Sequence, residues 1–188
     1  MRKTADAVII GGGVLGASVF YYLTKLGMTD IVLLEKGNLA SGSTGDSAAF
    51  VRQHYSNEVS IRLVRKSLEF FQGFPDEFDG ADVFTSTGWF FLVPSEAADV
   101  FDTNIKRLRS EGVNTWPVSV EEAADELVGL NTEGIGRVAF EPESGFVDPR
   151  AMVKAVIAKG VSNGGKAYDH TQVTGLEVNG DYTIVTTD

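Results

Sequence analysis

The segment ADAVII at residues 5–10 reads as a short buried strand that stops at Gly11, Gly12 and Gly13. Leu15, Val19, Tyr22, Leu23 and Leu26 then recur at helical spacing, which predicts a helix with one apolar stripe ended by Gly27. A second apolar run, Ile31–Leu34, closes on Glu35. Strand, helix and strand fall within about 30 residues, the size of a βαβ unit.

Residues 36–48 are rich in Gly and Ser and predict a loop. Ile61, Val64, Leu68 and Phe71 predict a helix over 57–71. From residue 83 the texture changes: TSTGWFFLVP predicts a strand, 96–110 a helix closed by Gly112, and Ser119 with Glu122 a capping box that opens another short helix. Asp148-Pro149 predicts a helix start, with a capping carboxylate followed by Pro at the first helical position; that helix runs to about Gly160. The tail holds short strands, with Asn179-Gly180 as a hairpin turn. Trp89, Phe90 and Phe91 alternate across their strand, so that part of the set faces a core.

Composition narrows the chemistry. The 188 residues carry 16 basic and 26 acidic side chains, a net charge of −10, which disfavours nucleic-acid binding because that needs a basic surface to replace counterions on phosphate. No apolar run approaches the length of a membrane span. Arg2 and Lys3 lead to Asp6 and then to glycines, so no secretory leader is read and a cytoplasmic protein is expected. There is no cysteine and only two histidines, His54 and His170, which removes disulfides, thiolate catalysis, iron–sulfur ligation and histidine-rich metal centres; no metal site is expected. Any chemistry here therefore comes from a borrowed cofactor or from carboxylate, hydroxyl and cationic groups.

Gly11, Gly13 and Gly16 form G-x-G-x-x-G between a strand and a helix, and Glu35 ends the next strand. That context gives the motif its meaning. Gly11 permits the tight turn, Gly13 lets a pyrophosphate approach the backbone, and Gly16 lets helix and strand pack closely. The helix start around residues 13–15 offers free N–H groups and the positive end of its dipole to a diphosphate. Glu35 can accept from both ribose hydroxyls of an adenosine and repels a 2′-phosphate, so FAD or NAD is favoured over NADP. Lys36 is expected to face solvent. The hydroxyl-rich loop SGSTGDS at 41–47 favours the longer FAD.

Taken in order, ADAVIIGGGVLGASVFYYLTKLG, IVLLEKG, GSTGDSAAFVRQHYS, GFVDPRAMVKAV and GGKAYDHTQVTGL resemble the FAD-dependent amine and amino-acid oxidoreductases of the D-amino-acid-oxidase superfamily, in the sarcosine oxidase β-subunit and dimethylglycine dehydrogenase branches. The resemblance covers nearly the whole chain, as the N-terminal portion of longer family members. It implies an α/β fold: a Rossmann-like FAD-binding domain with a parallel sheet, of the glutathione-reductase type, over residues 1–82 and 145–188, and part of an antiparallel α+β substrate domain over 83–144. It also implies that a later strand and the second half of the flavin pocket lie beyond Asp188. Cofactor-binding positions carried over are Gly11, Gly13, Val14, Leu15 and Gly16 at the diphosphate, Glu35 and Lys36 at the adenosine ribose, Gly42, Ser43 and Thr44 on the second phosphate-side loop, Ala49 and Phe50 where the backbone passes the isoalloxazine, and Val173 at adenine. Two positions depart from the family pattern. Asp46 stands where dimethylglycine-type members carry a flavin-linking histidine, and Ala49 where monomeric sarcosine oxidases place an arginine.

The activity implied is oxidation of the C–N bond of a small amine or N-methyl amino acid, sarcosine- or dimethylglycine-like, by hydride transfer to flavin. Arg52 is the candidate catalytic residue, a natural bidentate partner for a substrate carboxylate. His54 is a candidate for tuning protonation near the ring, and packing or capping is its commoner role. His170 reads as structural. Glu121/Glu122 and Glu141/Glu143 read as a helical turn and a loop, with no acid–base dyad. Partners expected are the small substrate and partner subunits or the remainder of a longer chain. Two alternatives stay open: a C–O oxidoreductase such as a glycerol-3-phosphate dehydrogenase relative, and a non-catalytic dinucleotide-binding fragment or subunit.

Overall fold

The computed structural model describes residues 4–188. In chain order the elements are β1 (Ala7–Ile10), α1 (Val14–Lys25), β2 (Ile31–Leu34), β3 (Phe50–Val51), α2 (Glu58–Gln72), α3 (Phe74–Glu77), β4 (Phe84–Ser86) and β5 (Trp89–Pro94). A 3-10 turn (Ser95–Ala97) precedes α4 (Ala98–Ser110), β6 (Trp116–Val118), α5 (Val120–Glu126), β7 (Ile135–Glu141), β8 (Gly145–Val147), α6 (Pro149–Ser162), β9 (Lys166–Tyr168), β10 (Val173–Asn179) and β11 (Tyr182–Thr187).

Contacts divide the chain into two compact units. One holds the chain up to Ala49, Pro75–Val83 and Asp148–Asp188; the other holds Phe50–Phe74 and Phe84–Val147. Residues 50–74, which the expected domain division joined to the cofactor domain, cluster with the second unit by this measure.

The first unit is built on a parallel sheet in the order β1-β2-β9, with Ala7 opposite Ile31 and Val32 opposite Lys166. This is the expected parallel α/β arrangement. All four residues of β2 are buried, as a central strand covered on both faces requires. Helices α1 and α6 pack together. Their contact is close because Gly160 and Gly165 leave room for the Phe20 ring: a Cβ on either would lie 2.6 Å from it. The α6 start is made as the sequence predicts, with Asp148 accepting from the Arg150 and Ala151 amides and Pro149 at the first position. The β10–β11 hairpin turns at Gly180 with φ +58°.

The buried face of α1 is not the predicted one. Leu15, Val19 and Leu26 are 80%, 50% and 83% exposed, and Tyr22 is also exposed. The buried side chains are Ala17, Phe20, Tyr21 and Thr24. Two small residues, Ala17 and Thr24, and two aromatics, Phe20 and Tyr21, make up this face, and the larger aliphatic stripe does not. Val8 and Ile10 of the edge strand β1 are exposed as well.

The second unit contains two antiparallel sheets, β5-β7-β6 and β3-β8-β4, again as expected for an antiparallel α+β part. Helices α2 and α4 supply Ile61, Phe101, Ile105 and Leu108 to a core completed by Val113 and Ala139, with Tyr55, Phe91 and Val93 packed against it. The capping box of α5 forms between Ser119 and Glu122. No helix among the described residues is long and apolar enough to cross a membrane.

Candidate functional site

The turn after β1 is shaped by sterics. Gly11 has φ +104°, a conformation that disfavours any side chain, and its amide donates to the Leu34 carbonyl at 2.8 Å. A Cβ at Gly16 would lie 1.9 Å from the Gly11 carbonyl oxygen, so the helix can approach the strand this closely only with glycine there. Gly13 is the N-cap of α1 and has no side chain to satisfy the helix start.

The first-turn amides are disposed as an anion site needs. Val14 donates to Thr44 Oγ1 at 3.0 Å, so that amide is taken, contrary to the expectation that all of residues 13–15 stay free. Among the described residues the amides of Gly13, Leu15 and Gly16 have no acceptor. The same hydroxyl bond brings the second loop over the helix start, because Thr44 Oγ1 also sits 3.0 Å from where a Gly13 Cβ would be. Gly42 and Ser43 are exposed beside it.

Glu35 is buried, and its carboxylate is fixed from both sides. Oε2 accepts from the Gly12 amide at 2.7 Å and Oε1 from the Gly37 amide at 2.9 Å. Each oxygen keeps a further lone-pair direction for a hydroxyl donor. Lys36 is exposed, as expected. Val173 begins β10, and the chain reaches it through Thr171, whose amide donates to the Glu35 carbonyl at 2.8 Å. The glycine turn, Thr44, Glu35 and Val173 thus all belong to the first unit. Free amides at a helix start, a close-approach glycine and a rigid acceptor for sugar hydroxyls together fit the diphosphate and adenosine portions of FAD.

Ala49 is in the left-handed region at φ +51°, and its amide donates to Ser47 Oγ. Asp46 stands 3.8 Å from Arg150, whose guanidinium also reaches the Gly45 carbonyl at 3.4 Å. Arg150, overlooked at the level of sequence, therefore braces the second loop. Phe50 belongs to the second unit, is 61% exposed, pairs with Phe146 across β3 and β8, and lies 5.1 Å from the Trp89 ring.

The second unit holds a cavity of about 410 Å³ whose lining includes Arg52, His54, Phe91, Val100, Phe101 and Asn104. The Arg52 guanidinium donates to the His54 carbonyl at 2.7 Å and lies over the Tyr55 ring at 4.7 Å. Among the described residues it pairs with no carboxylate.

Behind the cavity is a buried polar cluster that the sequence did not announce. Glu141, read as a loop residue without acid–base partners, ends β7 fully buried. It accepts from the Gln53 amide at 3.0 Å and from Ser144 Oγ at 3.0 Å, and it contacts His54 Nδ1 at 3.2 Å. His54 is buried, stacks on Phe91 with ring centroids 3.7 Å apart, and meets Asn104 Nδ2 through Nε2 at 3.2 Å. Among the described residues Asn104 Oδ1 and Gln53 Nε2 are buried without partners. His170 lies in the tail with φ +46°, its amide donating to the Gly37 carbonyl, and it joins no such cluster. Among the described residues no group of acidic or histidine side chains is arranged to hold a metal ion.

Comparison with known proteins agrees with this geometry. The family model described as FAD dependent oxidoreductase matches residues 6–188. The FAD-dependent oxidoreductase domain-containing protein 1 of Bos taurus is 30% identical over 84% of this chain and 35% of its own length. Mitochondrial sarcosine dehydrogenase of Mus musculus is 26% identical over 96% of this chain and 20% of its own. Among solved structures, L-proline dehydrogenase from P. horikoshii superposes with a TM-score of 0.89 at 27% identity, covering 100% of this chain and 50% of that one. The chain thus spans between a fifth and about a third of these two curated relatives. With the family model matched from Asp6 to the last residue, the chain belongs to the FAD-dependent oxidoreductase family.

Proposed function

We propose that this chain forms the adenosine- and diphosphate-binding part, and a share of the substrate part, of an enzyme that oxidises the C–N bond of a small amine or amino acid. The observation that carries the reading is the start of α1, where the Gly13, Leu15 and Gly16 amides lack acceptors among the described residues, beside a carboxylate, Glu35, locked by two backbone donors.

In this reading those three amides hold the diphosphate, Glu35 accepts from the ribose hydroxyls, Lys36 stays in solvent at its rim, and Gly42, Ser43 and Thr44 close the second side. Val173 meets adenine with its backbone, and Ala49 and Phe50 line the path toward the isoalloxazine. When bound, FAD supplies the two-electron acceptor for a C–H bond next to nitrogen. Arg52 carries a cation without a carboxylate partner among the described residues, and in this reading it pairs with the substrate's carboxylate and orients it. A sarcosine- or dimethylglycine-like substrate, a cytoplasmic setting, and association with partner subunits or further chain belong to the same proposal. The names of the relatives support the amine side: sarcosine and L-proline, the substrates named in sarcosine dehydrogenase and L-proline dehydrogenase, are both secondary amines.

The test is optical. Purified protein, or protein mixed with FAD, is expected to show flavin absorption that bleaches anaerobically with sarcosine, dimethylglycine or proline. Protein that stays colourless with added FAD refutes the cofactor assignment. Flavin absorption that none of these amines bleaches, with glycerol 3-phosphate bleaching it instead, refutes the C–N assignment.

A further inference from the structure

The proposed pairing of Arg52 with a carboxylate leaves a physical problem. A guanidinium in a wall shared with Phe91, Val93, Val100 and Phe101 gains by swinging into water, because apolar surroundings solvate a cation poorly. Something must hold it inward. Among the described residues its one hydrogen bond goes to the His54 carbonyl and its plane lies over the Tyr55 ring, so its position depends on the backbone of residues 52–55.

That backbone is clamped from the far side of the sequence. Glu141 takes the Gln53 amide on Oε2 and His54 Nδ1 on Oε1, gripping two consecutive residues with one carboxylate. Ser144 Oγ shares Oε2 and stops that oxygen from rotating away. The His54 ring is fixed at its other nitrogen by Asn104 and on its face by Phe91. A fully buried carboxylate is costly to desolvate, and apolar residues of similar size often stabilise a fold as well or better. Its presence here is explained by the direction it imposes rather than by packing.

We propose that Glu141, acting through Gln53 and His54, positions the Arg52 guanidinium in the cavity wall, and so sets how tightly the cavity holds a carboxylate. In this proposal Glu141 and His54 are positioning residues, acting on a carboxylate through Arg52. The proposal rests on reading Arg52 as the carboxylate's partner, and its test separates the two.

The test compares H54L with H54N in the intact protein. Leu fills the volume of the imidazole but cannot reach Glu141 with a donor. Asn is smaller, yet its amide nitrogen occupies the place of Nδ1. A clamp predicts that H54N keeps what H54L loses; a packing role predicts the reverse order. The first readout is the order of the Arg52 side chain, followed by NMR at Nε–H and assigned by its disappearance in R52K. The second is the affinity for phenylacetate, a carboxylate with an aromatic body, measured by calorimetry. H54L is expected to mobilise the Arg52 Nε–H and weaken phenylacetate about tenfold, with H54N within about threefold of the native protein. If H54L does not fold, E141Q, close in shape to the native residue, is expected to give the same two losses. An ordered Arg52 in H54L or E141Q, or H54N more impaired than H54L, overturns the clamp. Unchanged phenylacetate affinity in R52Q overturns the carboxylate reading, and the Nε–H comparison still decides the clamp.

Discussion

Gly16→Ala gives a sharp test of the cofactor turn. The added Cβ would lie 1.9 Å from the Gly11 carbonyl oxygen and 3.1 Å from its carbon. A carbon–oxygen contact of ordinary length is longer by more than about 1 Å, and the obstructing atom is backbone, so no side chain can rotate aside. Either α1 retreats from β1 or the Gly11 turn opens. Overpacking of this kind costs about 1–3 kcal/mol of stability. The same movement shifts the free amides of Gly13, Leu15 and Gly16, and loss of one charge-assisted bond, about 1.5–3 kcal/mol, weakens FAD about 10- to 100-fold. Gly13→Ala is the control. Its Cβ would meet only the Thr44 hydroxyl, at 3.0 Å, and that side chain can turn away at the expense of its bond from the Val14 amide. Stability should then fall by only about 1 kcal/mol. Denaturant titration reads the first quantity and quenching of flavin fluorescence the second. A G16A protein as stable as the native one, with native FAD affinity, refutes the claim that this approach governs the turn.

Three further outcomes follow from the same geometry. Glu35→Ala removes the acceptor shared by the Gly12 and Gly37 amides and the ribose, and is expected to weaken FAD by at least about tenfold in the same quenching titration. Asp148→Ala leaves the Arg150 and Ala151 amides uncapped at the start of α6 and should lower stability by about 1 kcal/mol in a denaturant melt. The Lys25 ammonium and the Tyr21 hydroxyl hold the Glu77 carboxyl below its ordinary range. Its contribution to stability is therefore complete above the unfolded value of about 4.3 and is lost as the pH falls through the lower folded value. A pH series of thermal melts should show this acid loss in the native protein and a smaller one in E77Q.

What could be read from the sequence was local. The glycine turn, the Asp148-Pro149 start, the Ser119–Glu122 capping box and the Asn179-Gly180 hairpin each depend on residues within a few positions of one another. The buried face of α1 was misread for a physical reason. Periodicity identifies an apolar stripe, but the neighbour decides which side is covered, and here Gly160 and Gly165 select Phe20 over Leu15 and Val19. The clamp on Arg52 was invisible because Glu141 lies 87 residues from His54 in sequence and only strand pairing brings it back. The Thr44 bond to Val14 spans 30 residues and is invisible to local pattern for the same reason.

The division into two units carries a lesson for protein engineering. The backbone leaves one unit and enters the other at 49/50, 74/75, 83/84 and 147/148. No single continuous stretch encodes either half: truncation at 74/75 or 83/84 splits both units, and truncation at 49/50 or 147/148 splits the first. A workable exchange needs a graft that replaces 50–74 and 84–147 together. Exchange of substrate pockets between relatives would then succeed as a paired transplant and fail as a single swap.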